Sequence, residues 1–230
     1  MSRIFVRGDT HGDFQGLQML RDKTKYTKDD YVIICGDFGF VWYSDEIKEH
    51  QLDQKGLTLL SRCECNFIII GGNHENYNAI EWLYPVETFH GARARYIRPN
   101  IIWIERGEVF TLNDKKFWCF GGAYSIDKGS RIPGYSWWPN ELPTDAEYKE
   151  AASNLQKYGM KVDYIITHTL PREMIMRLGK YPDVHDMELT GFLEWIMYEV
   201  DFKHWYCGHW HDDKELNDRF TILWFDVKEL

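Results

Sequence analysis

The chain has 230 residues, 44% of them hydrophobic and 27% charged, and that balance excludes a disordered polymer. With 27 Lys and Arg against 36 Asp and Glu the formal charge is -9, so the surface as a whole repels a phosphate backbone and no extended nucleic-acid surface is expected. Aromatic residues make up 16%, enough at this length for a sizeable core without disulfide staples.

Short apolar runs rich in β-branched and aromatic residues recur along the chain. Ile4 to Val6, Tyr31 to Cys35 and Phe67 to Ile70 come first, and each reads as a strand covered on both faces. Between them lie helical stripes, one carried by Phe14, Leu17, Met19 and Leu20 and one by Ile47, Leu52, Leu57, Leu59 and Leu60. From Tyr96 to Ala123 the pattern turns antiparallel. It includes the run Ile101 to Ile104, then Val109 to Leu112, an Asn113-Asp114 turn and Lys115 to Phe120. Thr144 with Glu147 three residues on forms a capping box that opens a helix, and Gly159 closes it. Tyr164 to Ile166 is a further strand, and an amphipathic helix comes next over Met187 to Val200. After the strand Trp205 to Cys207, the chain ends in a hairpin, Glu215-Leu216, an Asn217-Asp218 turn and Phe220 to Val227. Strands alternating with helices, without repeat or linker, predict one α/β domain over 1–230.

The five cysteines are an odd number, and Cys35, Cys119 and Cys207 sit inside apolar runs, which argues against a secreted disulfide framework. Cys63 and Cys65 form a Cys-x-Cys pair, but no second pair completes a tetrahedral zinc site, so ordinary thiols are expected there. The N-terminus enters a strand pattern at once, and no apolar stretch reaches the ~18 residues needed to span a bilayer. A cytoplasmic protein without a membrane partner is expected.

The chemistry lies at the C-terminal end of each buried strand. Ile4-Phe5-Val6 leads to Gly8-Asp9-Thr10-His11-Gly12, and Val32-Ile33-Ile34 to Gly36-Asp37. Ile68-Ile69-Ile70 leads to Gly72-Asn73-His74-Glu75, Ile165-Ile166 to His168, and Trp205-Tyr206-Cys207 to Gly208-His209-Trp210-His211. Strand ends are where open α/β sheets place their sites, so these residues are expected to converge. In Asp-x-His and His-x-His the i and i+2 side chains share one side of an extended segment, which pairs Asp9 with His11 and His209 with His211. The set of Asp9, His11, Asp37, Asn73, His168, His209 and His211 exceeds the four ligands of a structural zinc. It suits two divalent ions about 3.5–4 Å apart bridged by one carboxylate. The histidines favour Mn, Fe or Zn over Mg or Ca.

These five ordered blocks, spanning residues 8–211, resemble the calcineurin-like metallophosphoesterase superfamily. The resemblance implies two mixed β-sheets packed as a sandwich flanked by helices, a four-layer α/β/β/α arrangement. It also implies hydrolysis of a phosphate-ester substrate, mono- or diester, by a bridging hydroxide attacking in line. It assigns Asp9, His11 and His211 to one metal and Asn73, His168 and His209 to the other, with Asp37 bridging. His74 then serves the leaving group as acid or charge stabiliser, oriented by Glu75 or by Asp9. Where protein Ser/Thr phosphatases carry Val-Asp-Arg-Gly after the second Gly-Asp, this chain has Phe38-Gly39-Phe40-Val41-Trp42. That departure favours a small-molecule or nucleotide substrate over a phosphoprotein, and the complete ligand set argues against a non-catalytic metal-bound scaffold. It also suggests an aromatic wall of Phe38, Phe40 and Trp42.

Two further stretches stand out. The loop Gly121 to Trp138 either lies over the site, with Lys128 or Arg131 gripping phosphate, or packs Trp137 and Trp138 against the sheet edge. The basic cluster Arg93, Arg95, Arg98 and Arg106 reads as a solvated face of edge strands rather than an anion-binding patch.

Overall fold

A computed structural model of the chain describes residues 2–14, 16, 24–42 and 50–230. The stripe residues Leu17, Met19, Leu20 and Ile47, and the side chains of His50 and Leu52, lie outside the described residues.

Two mixed sheets form the centre. The first has seven strands, β13 (Val227–Glu229), β1 (Ile4–Arg7), β2 (Tyr31–Ile34), β3 (Asn66–Ile69), β6 (Ile101–Ile104), β5 (Ala92–Arg98) and β4 (Val86–Phe89), in that spatial order. The second has six, β11 (Lys214–Asn217), β12 (Phe220–Ile222), β10 (His204–Cys207), β9 (Tyr164–Thr167), β8 (Lys115–Phe120) and β7 (Val109–Leu112). In each sheet the central strands run parallel and antiparallel strands close the edges. Strands buried on both faces need apolar side chains at every position, which is why β1, β2, β3 and β6 read as unbroken runs.

Alternate residues of those runs enter different cores. Val6, Ile33, Ile68 and Ile102 meet Phe110, Phe117, Cys119 and Ile166 between the two sheets. Phe5, Val32, Ile34 and Phe67 face outward to Leu57 and Leu60 of α1 (His50–Ser61) and to Ile80 of α2 (Tyr77–Leu83). On the far side Trp118, Ile165 and Trp205 pack on Leu155 of α3 (Asp145–Lys157) and on Leu189, Leu193 and Ile196 of α5 (Met187–Glu199). The layers are therefore α/β/β/α. The Thr144–Glu147 capping box is present at α3, and the Asn113-Asp114 turn joins β7 to β8 with both residues at positive φ, as a tight hairpin requires.

Four differences from the sequence reading are instructive. The run Phe220 to Val227 is not one strand: β12 pairs with β11, then the chain crosses to the other sheet, where β13 pairs with β1. The short helices α2 and α4 (Arg172–Arg177) were not expected; α2 is opened by Asn76, whose side chain accepts from Ala79 N–H. The edge strand β4 carries no apolar run, because three of its four residues are exposed. The basic cluster is a solvated face only in part: Arg93 is exposed, while Arg95 and Arg106 are largely covered. Arg93 pairs with Glu108 and Glu150, Arg95 with Glu105, and the largely buried Arg106 side chain with Glu147 and the carbonyls of Gly121 and Asn140. No helix among the described residues is long and apolar enough to cross a membrane.

Candidate metal centre

The chain ends of β1, β2, β3, β9 and β10 deliver their side chains to one place. Seven donors fall into two sets. In the first, His211 Nε2 lies 3.1 Å from Asp9 Oδ2 and 3.0 Å from His11 Nε2, which is 3.7 Å from Asp9 Oδ2. In the second, Asn73 Oδ1 lies 2.9 Å from His168 Nε2 and 3.1 Å from His209 Nδ1. Asp37 touches both, with Oδ2 3.8 Å from His11 Nε2 and Oδ1 3.4 Å from His168 Nε2.

The pairs converge for a different reason from strand alternation. His11, Asp37, His209 and His211 all have positive φ, of 47°, 47°, 66° and 49°. Each costs about 1–2 kcal/mol for a residue with a Cβ, and four in one cluster mark a site whose backbone is held by its surroundings. The hold is visible: Thr10 and His11 N–H groups both donate to Asp37 O, and Thr10 Oγ1 donates to Phe38 O. His209 N–H donates to both oxygens of Asp9, at 2.9 and 3.1 Å. A Cβ on Gly208 would sit 2.0 Å from Asp9 Oδ1, and one on Gly72 2.0 Å from Asp37 Oδ1. Those two glycines are what let the carboxylates lie flat against the backbone.

The donor chemistry fits cations. His168 Nδ1 lies 2.8 Å from the Cys35 carbonyl, which can only accept, so that nitrogen carries hydrogen. Its Nε2 faces Asn73 Oδ1 and Asp37 Oδ1, two further acceptors, so the position between them takes either a proton on Nε2 or a cation in its place. The electrostatics say the same. Burial alone would lower His168, but the Asp37 and Asp9 carboxylates hold it well above the ordinary histidine value. Burial, and then the charge of His168, pushes His209 down to about 3. Burial would raise Asp37, yet the imidazoles of His168, His74 and His11 hold it well below the usual carboxylate range. A divalent cation bound here would displace the His168 proton, and the neutral imidazoles would supply lone pairs to it.

His74 is beside the donors, not among them. Its N–H donates to Asp37 Oδ1 at 2.7 Å, and its ring stacks on Trp42 with centroids 6.2 Å apart. Arg131 Nη2 is 3.4 Å from His74 Nε2 and donates to Asp127, while Nη1 donates to the Ser136 carbonyl. Burial, with the positive charges of Arg131 and His11 adding to it, holds His74 below the ordinary histidine value. Neither carboxylate expected to orient its ring does so through a described bond. The fully buried Glu75 accepts from Phe38 N–H and Gly39 N–H, and burial, then the charge of Asp37, pushes it up to about 8. Asp9 is committed to His209.

The expected aromatic wall is corrected in part. Phe38 is fully buried and packs on Phe40 in the core beneath α1, because the turn at Asp37 sends it inward; it cannot meet a substrate. Trp42 does line a cavity of about 640 Å³ together with His11 and His74. The loop Gly121 to Trp138 does both things that the sequence left open. Trp138 is buried with its ring 5.1 Å from Trp42, while Arg131 reaches His74. Lys128 does not share that position: its ammonium is 3.7 Å from the Tyr124 ring centre, 4.7 Å from that of Trp137 and 3.9 Å from Glu141 Oε1.

One participant left no mark in the sequence. Ser125 is buried, and its Oγ lies 3.1 Å from Asn73 Nδ2, which turns Asn73 Oδ1 toward the histidines. Its own N–H donates to Glu141 Oε1 at 3.0 Å. A serine in a loop has no spacing signal, and only its contact 52 residues away gives it a role.

A four-layer α/β sandwich with His, Asp and Asn side chains gathered at its strand ends presents groups that could hold a metal ion. A sequence model of the calcineurin-like phosphoesterase family matches residues 2–213, and the chain belongs to that family. Among curated proteins none matches. Solved structures similar to the chain include phosphopantetheinyl hydrolase (PptH) from Mycobacterium tuberculosis, 17% identical, covering 96% of this chain and 87% of that one at a TM-score of 0.48. They also include a protein serine/threonine phosphatase from Saccharomyces cerevisiae, 12% identical, covering 97% of this chain and 67% of that one at a TM-score of 0.39.

Proposed function

We propose that the protein is a dinuclear metal-dependent phosphoesterase acting on a small organic or nucleotide phosphate ester, mono- or diester, in the cytoplasm. The observation that carries this reading is the division of the seven donors into two sets that share Asp37. Asp9, His11 and His211 with Asp37 Oδ2 would hold one ion; Asn73, His168 and His209 with Asp37 Oδ1 would hold the other. Ions of the Mn, Fe or Zn type suit this imidazole-rich set. Bound there, two such ions supply an activated water and neutralise charge on the phosphoryl oxygens.

The chain's own residues do the rest. Arg131, beside His74, binds a phosphoryl oxygen, a task its planar fork suits. His74, neutral because burial and Arg131 disfavour its charge, meets the arriving phosphoryl anion, which opposes that shift. It takes up a proton on binding and gives it to the leaving oxygen. Trp42 holds the His74 ring in place from its stacked face. The test is release of 4-nitrophenolate from mono- and bis-(4-nitrophenyl) phosphate by metal-stripped protein with and without added Mn. Hydrolysis that returns with Mn supports the reading; hydrolysis unaffected by stripping, or none with both sites loaded, removes it.

A further inference from the structure

From the donor cluster a cavity of about 750 Å³ opens outward. Asp37, Asn73, His209 and His211 form its floor, so a phosphate bound there occupies only the inner end. The volume is that of an organic ligand, and the walls say which kind.

Tyr124, Tyr181 and Trp210 contribute aromatic surface, and the mouth carries exposed apolar side chains, Ile126 at 81% and Val184 at 75%. The polar lining is unequal in sign: three carboxylates, Asp127, Asp183 and Asp186, against the single ammonium of Lys180. Asp127 is matched by Arg131 at 2.5 Å. Lys180 is drawn to the face of Trp210, 4.9 Å from its ring centre. That leaves Asp183 and Asp186. Asp183 accepts from His185 N–H and faces His185 Nδ1 at 2.8 Å, bonds that, with the charges of His185 and Lys128 adding to them, hold it below the usual carboxylate range. Asp186 is only 6% exposed and accepts from Tyr124 N–H with Oδ1. Burial, with the charges of Asp183 and Glu141 adding to it and the Tyr124 N–H opposing it, pushes it up to about 6, so it is ionised at pH 8. Among the described residues neither carboxylate has a lysine or arginine at ion-pair distance, so a ligand arm that carried a second anion would be repelled by them, whereas an ammonium or hydroxyl would add a donor.

We propose that this cavity receives the organic arm of the phosphate ester, and that Asp183 and Asp186 select an arm bearing ammonium or hydroxyl donors over one bearing a second anion. The proposal rests on the phosphoesterase reading above and adds the class of alcohol. A doubly anionic ester, such as a phosphorylated hydroxy acid, is then a poor substrate, although it offers the metal centre the same phosphoryl group.

The experiment compares three arms of similar size, ethanolamine, glycerol and glycolate, each as its phosphate monoester and as its 4-nitrophenyl phosphodiester. Protein loaded with Mn is assayed at pH 8, with Asp183→Asn and Asp183→Lys as variants and thermal melting as the check that both fold. For whichever ester type is hydrolysed, kcat/KM for ethanolamine and glycerol exceeds that for glycolate by about tenfold or more. Asp183→Asn narrows that ratio, and Asp183→Lys reverses the order of ethanolamine and glycolate. Glycolate esters turned over as well as the others, or a ratio unmoved in both folded variants, would overturn the proposal and leave the phosphoesterase reading intact. Hydrolysis of none of the six esters by protein with both ions bound would overturn that reading, and this one with it.

Discussion

The strand-end cluster and the loop that covers it are built on opposite principles. The cluster takes its donors from the ends of five parallel strands, and each donor's backbone is fixed by neighbours such as the Asp37 carbonyl and the Asp9 carboxylate. The cover, Gly121 to Trp138, has little regular structure beyond one turn of 3-10 helix at Lys128–Ser130. It is held through side chains instead: Trp138 on Trp42, Ser125 between Asn73 and Glu141, Arg131 between Asp127 and His74. A rigid frame places the ions, and a side-chain-anchored cover finishes the second donor set and addresses the substrate. The difference teaches that damage to the frame should remove metal, while damage to the cover should change affinity and turnover with most of the metal retained.

The largest effect is expected from Asp37, the carboxylate common to both sets. Asp37→Ala should abolish Mn binding in both sets and lower kcat/KM by on the order of 10⁴-fold, read by dialysis with metal analysis beside a kinetic assay. If one ion still bound with native affinity, the two sets would not share a ligand. His74 comes next. His74→Asn should lower kcat by about 10²–10³-fold while two ions still bind, and the loss should be smaller for a leaving group of low pKa such as 4-nitrophenolate than for an aliphatic alcohol. An equal loss for both leaving groups would remove the proton-donating role.

Ser125→Ala tests the cover from within. Freed of its partner, the Asn73 amide is no longer oriented, and one of the two ions should bind about 10–100-fold more weakly, seen as a second transition in a calorimetric Mn titration. A titration indistinguishable from native would make Ser125 a packing residue only. Arg131→Lys keeps the charge and loses the fork, so KM should rise by about tenfold with little change in metal affinity.

The smallest effect concerns pH. Asp186 is raised from 3.8 to about 6, so the folded chain binds that proton more tightly than the unfolded chain does. The resulting stabilisation, about 3 kcal/mol at most, is complete below pH ~4 and is lost as pH rises through ~6. In Asp186→Asn that loss disappears, and urea unfolding of the metal-free protein at pH 4 and pH 7 should differ by less than in the native chain. An unchanged difference would show that Asp186 titrates normally.

The same contrast explains what the sequence made legible. Asp9, His11, Asp37, Asn73, His168, His209 and His211 each come directly after a buried strand, and parallel strands in register carry their ends to one edge of the sandwich, so local pattern sufficed. The local reason was still wrong. His11, His209 and His211 converge through left-handed turns, which no alternation rule describes. In the cover, local pattern had nothing to offer. Lys128 and Arg131 are equivalent cations three residues apart, and only the aromatic cage of Tyr124 and Trp137 against the reach to His74 tells them apart. Phe38 looked like its neighbour Trp42 in composition, yet the turn at Asp37 buries one and leaves the other at the cavity. Contacts between residues far apart in sequence decide such cases.

The central claim is a two-ion centre joined by Asp37. Equilibrium dialysis of metal-stripped protein against Mn, with elemental analysis of the dialysed protein, measures it directly. The account predicts two equivalents per chain in the native protein and none with comparable affinity in Asp37→Ala. One equivalent in the native protein at saturation, with full hydrolytic activity, would contradict it.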